Sequence, residues 1–201
     1  MKNKIAWTGT LAVLLAFAFN AQAGAFQSSM TVTGPTNQPI GHYDFCKQYA
    51  DECRATPVAA PMVLTEDSWR QILQVNFEVN SAVQPLTDME IYGVEERWAY
   101  PETVGDCEDY VLLKRKKLIE AGIAQSNLLI TVVLQPNGDG HAVLTVRTDR
   151  GDLVLDNMRD KVLVWSETEY RFLKRQSEKN AGKWVKLEDG RATVAVGSVR
   201  K

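Results

Sequence analysis

The chain has 201 residues, 45% hydrophobic and 24% charged, enough for one domain with its own core. Its formal net charge is −2, which gives no electrostatic reason to bind nucleic acid. It contains no internal repeats and no low-complexity tracts.

The N-terminus reads as a signal peptide, residues 1–23. Lys2 and Lys4 give a positive start, Ile5 to Phe19 is mostly apolar, and Ala21-Gln22-Ala23 is a small-x-small cleavage signal. The apolar stretch is shorter than the ~20 residues that span a bilayer comfortably, and no later segment is long and apolar enough. An uncleaved anchor is the competing reading. The expected product is an exported chain that starts near Gly24 and does not span the membrane after cleavage.

Residues 24–64 are rich in Thr, Pro, Gly and Ser and read as loop, with one short helix near Phe45–Ala50. Cys46 and Cys53 lie close together there, and in an oxidising compartment such a pair predicts a disulfide. A zinc site with His42 is the alternative, but it lacks a fourth ligand and the usual close spacing. Pairing Cys46 with Cys53 leaves Cys107 as the odd thiol, either an intermolecular bridge or a reactive group.

The remaining residues, 65–201, read as the core. Thr65 caps a helix from Glu66 to about Val83, with Trp69, Ile72, Leu73, Val79 and Val83 at helical spacing and Pro85 as its stop. Residues 86–104 read as irregular. A second helix starts at Cys107 or Glu108, with Asp106 as N-cap, and stops at Gly122. Its late run Lys114-Arg115-Lys116-Lys117 reads as a solvated face that suits the helix dipole. The period then changes to two. Strands are expected at Leu128–Leu134, His141–Thr148 and Leu153–Asp156, then at Lys161–Trp165, Tyr170–Arg175, Trp184–Leu187 and Thr193–Val196. Helices followed by a strand meander predict an α+β fold, N-terminal helices packed on an antiparallel sheet.

Gly105-Asp106-Cys107-Glu108-Asp109-Tyr110 places a thiol at a helix start, where free N–H groups and partial positive charge favour a thiolate and a developing oxyanion. His141 opens one strand and Asp156 ends the next. A base and its orienting carboxylate are what a cysteine nucleophile needs for acyl transfer from a peptide or amide. The same residues also read as a small buried hydrophobe and a structural histidine. Asp106, Glu108 and Asp109 oppose thiolate formation. They read either as ordinary helix-start acids or as oxygen ligands for a hard cation such as calcium. A two-residue turn at Arg150-Gly151 would set Asp156 opposite Thr145, ~13 Å along the strand from His141, and Asp160 opposite His141. Asp156 then needs a bulge or a wider loop to reach the imidazole.

Trp98, Pro101, Gly105-Asp106-Cys107-Glu108-Asp109-Tyr110, Gly140-His141-Ala142-Val143-Leu144 and Leu155-Asp156-Asn157 together resemble the bacterial transglutaminase-like cysteine proteinases, which include LapG-type periplasmic proteases. The resemblance runs from about Thr65 to Tyr170. It implies a papain-like/transglutaminase core, with Cys107, His141 and Asp156 as triad and Asp156 preferred to Asp160. It also implies calcium beside the nucleophile, held by Asp106 and Glu108 with Asp109. The implied substrate is a protein, a large surface adhesin in LapG-type enzymes, and the implied regulator an inner-membrane receptor that senses a cyclic dinucleotide. The chain departs from the pattern in its Cys46/Cys53 pair and short hairpin. An amide-transferring enzyme with the same triad and a catalytically silent binding module are the alternatives.

Overall fold

The structure, a computed structural model, describes residues 28–189. The expected signal peptide and the expected strand at Thr193–Val196 lie outside the described residues. Seven antiparallel strands form one sheet: β1 (Thr31–Thr36), β4 (Leu128–Leu134), β5 (Gly140–Thr148), β6 (Gly151–Leu155), β7 (Leu163–Val164), β8 (Arg171–Ser177) and β9 (Asn180–Glu188). Their spatial order is β1-β9-β8-β4-β5-β6-β7. The helices are α1 (Ile40–Gln48), α2 (Glu66–Ala82), α3 (Asp88–Tyr92) and α4 (Cys107–Glu120). A short parallel pair, β2 (Gln84–Pro85) with β3 (Val104–Gly105), sits just before α4.

Both main helices form where capping and periodicity place them. Thr65 accepts from Ser68 N, and Ser68 closes the capping box in return. Gly122 takes φ +94° just beyond α4, a left-handed stop that costs glycine little. Ile72, Val79, Val111, Leu118, Leu128, Leu144 and Leu155 form the main core between the α2/α4 layer and one sheet face. Val133, Val143, Val154, Tyr170 and Phe172 form a smaller cluster with Trp165 and Met30. The sheet thus carries buried residues on both faces, as the near-continuous burial of β5 and β6 records.

Three expectations change. The stretch 31–36, read as loop from its Gly34-Pro35, is an edge strand with a register shift between Val32 and Gly34. Residues 88–92 are helical rather than irregular. Of the basic run, Lys114 and Arg115 are buried and only Lys116 is fully on the solvated side. Cys46 and Cys53 form a disulfide, with Cα atoms 5.7 Å apart. Both sulfurs are therefore spent, and His42 beside them accepts from Trp184 Nε1 at 3.1 Å, which removes the zinc alternative.

The β5–β6 hairpin has a different register from the one its turn residues suggest. Thr148 pairs with Gly151 and Leu144 with Leu155, so Asp149-Arg150 form the loop. Gly151 is the reason. It has φ +120°, and a Cβ there would come within 2.4 Å of the Ser28 carbonyl oxygen. Asp152 N donates to that same oxygen at 2.7 Å. Gly151 is held as the first paired residue, not as a turn residue. Continued by one step, this register puts Asp156 beside Val143, two residues and ~6.6 Å from His141.

Candidate active site

Cys107 is the first residue of α4 and the free cysteine of the described residues. The backbone N–H of Ala142, which follows His141 on β5, acts on its thiol and favours the ionised form. Sγ donates to Glu108 Oε2 at 2.9 Å. Burial, followed by the Glu108 carboxylate, pushes the thiol well above its ordinary range. In this arrangement the sulfur is held as a protonated thiol.

His141 and Asp156 are both buried, and Nε2 of the imidazole lies 2.9 Å from Asp156 Oδ1. Asp156 has three further partners. Tyr170 Oη donates to Oδ2 at 2.5 Å, Met158 N donates to Oδ1 at 3.0 Å, and Arg159 Nε stands 3.4 Å from Oδ2. Burial alone would raise this carboxyl, but the bonds from His141 and Tyr170 outweigh it and hold it below its ordinary range. An ionised Asp156 accepts the Nε2 proton, which leaves Nδ1 as the basic nitrogen of a neutral ring. The Tyr170 ring also packs 5.4 Å from the imidazole. Asp160 takes a different place: its main-chain carbonyl and Oδ1 accept from Asn76 and Asn80 of α2 at 3.0 Å each. The structure therefore brings Asp156 to His141 and keeps Asp160 on the helix.

Asp88, Asp106 and Asp109 converge, with one carboxylate oxygen from each within 4.8 Å of the others. Main-chain donors hold the outer oxygens. Asp88 Oδ2 accepts from Arg97 N, and Asp109 Oδ1 accepts from Ala99 N at 2.8 Å. Asp88 Oδ1, Asp106 Oδ1 and Asp109 Oδ2 are buried with no hydrogen-bond partner. Asp106 is N-cap by position but gives no capping bond. Gly105 makes the space, because a Cβ there would come within 2.9 Å of Asp109 Oδ2. Burial first, then the neighbouring acids, push Asp106 up to about 8 and Asp109 up to about 7. Three orphaned hard oxygens in a space kept open by glycine fit a hard divalent cation.

Two of the expected ligands, Asp106 and Asp109, thus lie in the cluster, while the third, Glu108, lies against the thiol. Sequence reasoning missed Asp88 and Tyr170. A signal for Asp88 was present: Thr87 and Glu90 form a capping box that starts α3 at Asp88. Tyr170 had none, because the contact joins residues 14 apart across a strand connection.

The sequence model described as bacterial transglutaminase-like cysteine proteinase matches residues 32–192. No curated protein sequence matches the chain. Among solved structures, calcium-bound LapG of Legionella pneumophila is similar at 20% identity and a TM-score of 0.51, over 80% of this chain and 88% of that one. A second L. pneumophila LapG structure is similar at 23% identity and a TM-score of 0.50, over 74% and 81%. These likenesses agree with the fold described above, helices on an antiparallel sheet.

Proposed function

The chain belongs to the bacterial transglutaminase-like cysteine proteinases and is a cysteine peptidase, and from that premise we propose that Cys107, His141 and Asp156 are its catalytic triad. The observation that carries the reading is the buried bond from His141 to an Asp156 carboxylate that His141 and Tyr170 hold ionised, with Cys107 at the start of α4. His141 takes the thiol proton on Nδ1. The thiolate attacks the scissile carbonyl carbon, and the free N–H groups at the start of α4 stabilise the oxyanion. The imidazolium then protonates the leaving amine as the C–N bond breaks, which leaves a thioester. Water, deprotonated by the same imidazole, attacks the thioester and regenerates the thiol while the acid product leaves. Asp156 holds the ring tautomer and stabilises the imidazolium throughout.

Asp88, Asp106 and Asp109 would hold calcium, with Glu108 as the further acid that the family resemblance implies. One similar solved structure is calcium-bound, and we extend that ion to this chain on the three orphaned oxygens. Bound there, calcium would supply positive charge that offsets the carboxylates beside the thiol. The protein is read as periplasmic, exported by residues 1–23. Its substrate is read as a surface adhesin, and its regulator as an inner-membrane receptor that senses a cyclic dinucleotide. The deciding experiment incubates the protein purified without residues 1–23 with surface and periplasmic proteins, with and without calcium, and maps new termini by mass spectrometry. New termini that require Cys107 and calcium are expected. Isopeptide products with an added amine, in place of new termini, would make it an amide-transferring enzyme instead.

A further inference from the structure

The acid cluster beside Cys107 is oriented by two main-chain donors. Arg97 N donates to Asp88 Oδ2, and Ala99 N donates to Asp109 Oδ1 at 2.8 Å. With those two oxygens taken, the other oxygen of each carboxylate is the one left buried and unpartnered. A hydrogen bond to one atom of a ligand group, which sets the direction of the other, is how an outer shell shapes a metal site. Here the outer shell is backbone. Its placement therefore depends on what holds the segment that carries Arg97 and Ala99.

Trp98 lies between the two donors. In the connection from α3 to β3, residues 93–103, it alone is buried, and residues 93–97 before it are exposed. Its indole is seated on α1. A Cβ on Gly41 would overlap the indole Cδ1 and come within 2.6 Å of its Nε1, so only glycine leaves room for the ring. His42 stands edge-on to the indole with ring centres 5.3 Å apart, and Trp184 of β9 with ring centres 6.3 Å apart. That wall is itself fixed. Trp184 Nε1 donates to His42 Nδ1 at 3.1 Å, and the Gln176 amide nitrogen of β8 lies 3.1 Å from His42 Nε2. The indole N–H is satisfied within the segment, by Glu96 Oε1 at 2.9 Å. The neighbouring side chains reach less far into the fold. Arg97 lies over the ring of Tyr92, at the end of α3 itself. Ala99 offers only a methyl, and Tyr100, one residue past the second donor, is bonded to Glu52. The indole thus ties both donors at once to α1 and the sheet.

We propose that Trp98 is a positioning residue of the cation site: seated on Gly41 and His42, it fixes the Arg97 and Ala99 N–H groups, which hold Asp88 and Asp109 with their unpartnered oxygens left for the ion. The inference rests on the calcium reading above. Calcium binding by titration calorimetry, well below the unfolding transition, and Tm in chelator are measured on the wild type, Trp98→Leu, Gly41→Ala and Trp165→Leu. Trp98→Leu should weaken calcium binding about 10- to 100-fold, the loss typical when an outer-shell partner of a metal ligand is removed. Gly41→Ala should weaken it too, because the new methyl displaces the indole, although alanine is otherwise the better helix residue. Trp165 is a buried tryptophan of the smaller cluster, so Trp165→Leu should lower Tm and leave calcium affinity unchanged. A merely structural role for Trp98 would move Tm and not the affinity of the folded protein. Wild-type calcium affinity in Trp98→Leu overturns the proposal, and so does an equal loss of affinity in Trp165→Leu. If Trp98→Leu does not fold, Gly41→Ala decides by the same readouts; failure of both to fold makes the indole a brace of the whole fold and overturns the proposal. A wild type that takes up no calcium would instead overturn the calcium reading, which leaves the two failures distinguishable.

Discussion

The two flanks of Cys107 are built on opposite principles. On the β5–β6 side, each oxygen of Asp156 has two partners, and the carboxyl is held below its ordinary range. On the α3–α4 side, three buried carboxylate oxygens have no partner, and Asp106 and Asp109 are pushed up to about 8 and about 7. The difference is that the first flank is complete with the residues of this chain, and the second leaves three hard oxygens open, which the cation proposed above would fill. On the reading proposed above, a preorganised half and a conditional half meet at one sulfur, and activity would depend on a cation.

The largest effects should come from breaking the complete flank. Cys107→Ala and His141→Ala should each abolish hydrolysis, with the circular dichroism spectrum and Tm little changed. Asp156→Asn keeps the shape but offers His141 an amide. By the precedent of triads in general, the loss should be on the order of 10²–10⁴ in kcat/KM. Substantial activity in Cys107→Ala would remove the nucleophile assignment. If Asp160→Ala lost more activity than Asp156→Ala, the contact seen between His141 and Asp156 would not be the working one.

The conditional flank should respond to metal and to pH. Chelation should strongly reduce activity and calcium restore it, with magnesium a poor substitute because it demands stricter octahedral geometry. Saturating calcium should also raise Tm. Ligand at 100 times Kd contributes ~2.7 kcal/mol, which is about 5–10 °C for a domain of this size. Asp88→Asn should abolish that rise, and a full calcium shift in Asp88→Asn would exclude Asp88 as a ligand. The pH dependence has a definite sign. Asp106 and Asp109 bind protons more tightly folded than unfolded, so in chelator stability should fall as pH rises from about 4 to about 8. Calcium, by favouring the ionised carboxylates, should flatten that slope.

The sequence was legible where a short-range signal decides the structure. Period and caps located α2, α4, β4 and β5, because a helix end or a buried strand is written in adjacent residues. The hairpin register was off by two because Gly151 is fixed by the distant Ser28 carbonyl, not by its own turn. The short segment Thr31–Thr36 is a strand only because β9 offers it an edge. For the site, Cys107, His141 and Asp156 were visible as residue types in order. Asp88 was hidden in a region with too few apolar positions to show a helix, although its capping box was present. Lys114 was misread because burial in a basic run depends on which face of α4 meets α2. No local pattern records that.

Removing the disulfide should leave both flanks intact. Cys46 and Cys53 close a short loop far along the chain from the thiol, and chain-entropy reasoning gives ~2.5 kcal/mol for a loop of this size. Cys46→Ser with Cys53→Ser should lower Tm by several degrees and leave kcat/KM of the folded protein within about twofold, read below the transition. Non-reducing peptide mapping of the wild type should find this pair linked and Cys107 free; a bridge through Cys107 would contradict its place as nucleophile.

The smallest effect we expect tests how far the complete flank depends on each of its bonds. Tyr170→Phe removes only the hydroxyl that donates to Asp156 Oδ2 and keeps the ring against His141. A hydrogen bond to a charged group contributes about 1.5–3 kcal/mol, but His141, Met158 N and Arg159 still hold the carboxylate, so only part of that should reach the reaction barrier. A loss of one half to one tenfold unit of that scale corresponds to about 3- to 10-fold in kcat, with KM unchanged, since Tyr170 is behind the imidazole and not at the substrate. Asp156 should also titrate higher in the variant, because a bond that favours its ionised form is gone, and the acid limb of the pH–rate profile should move up accordingly. A loss as large as that of Asp156→Asn would mean that Tyr170, not the set of partners, places the carboxylate. No change in either kcat or the acid limb would mean that the remaining three partners suffice, and that the flank is more redundant than its bonding suggests.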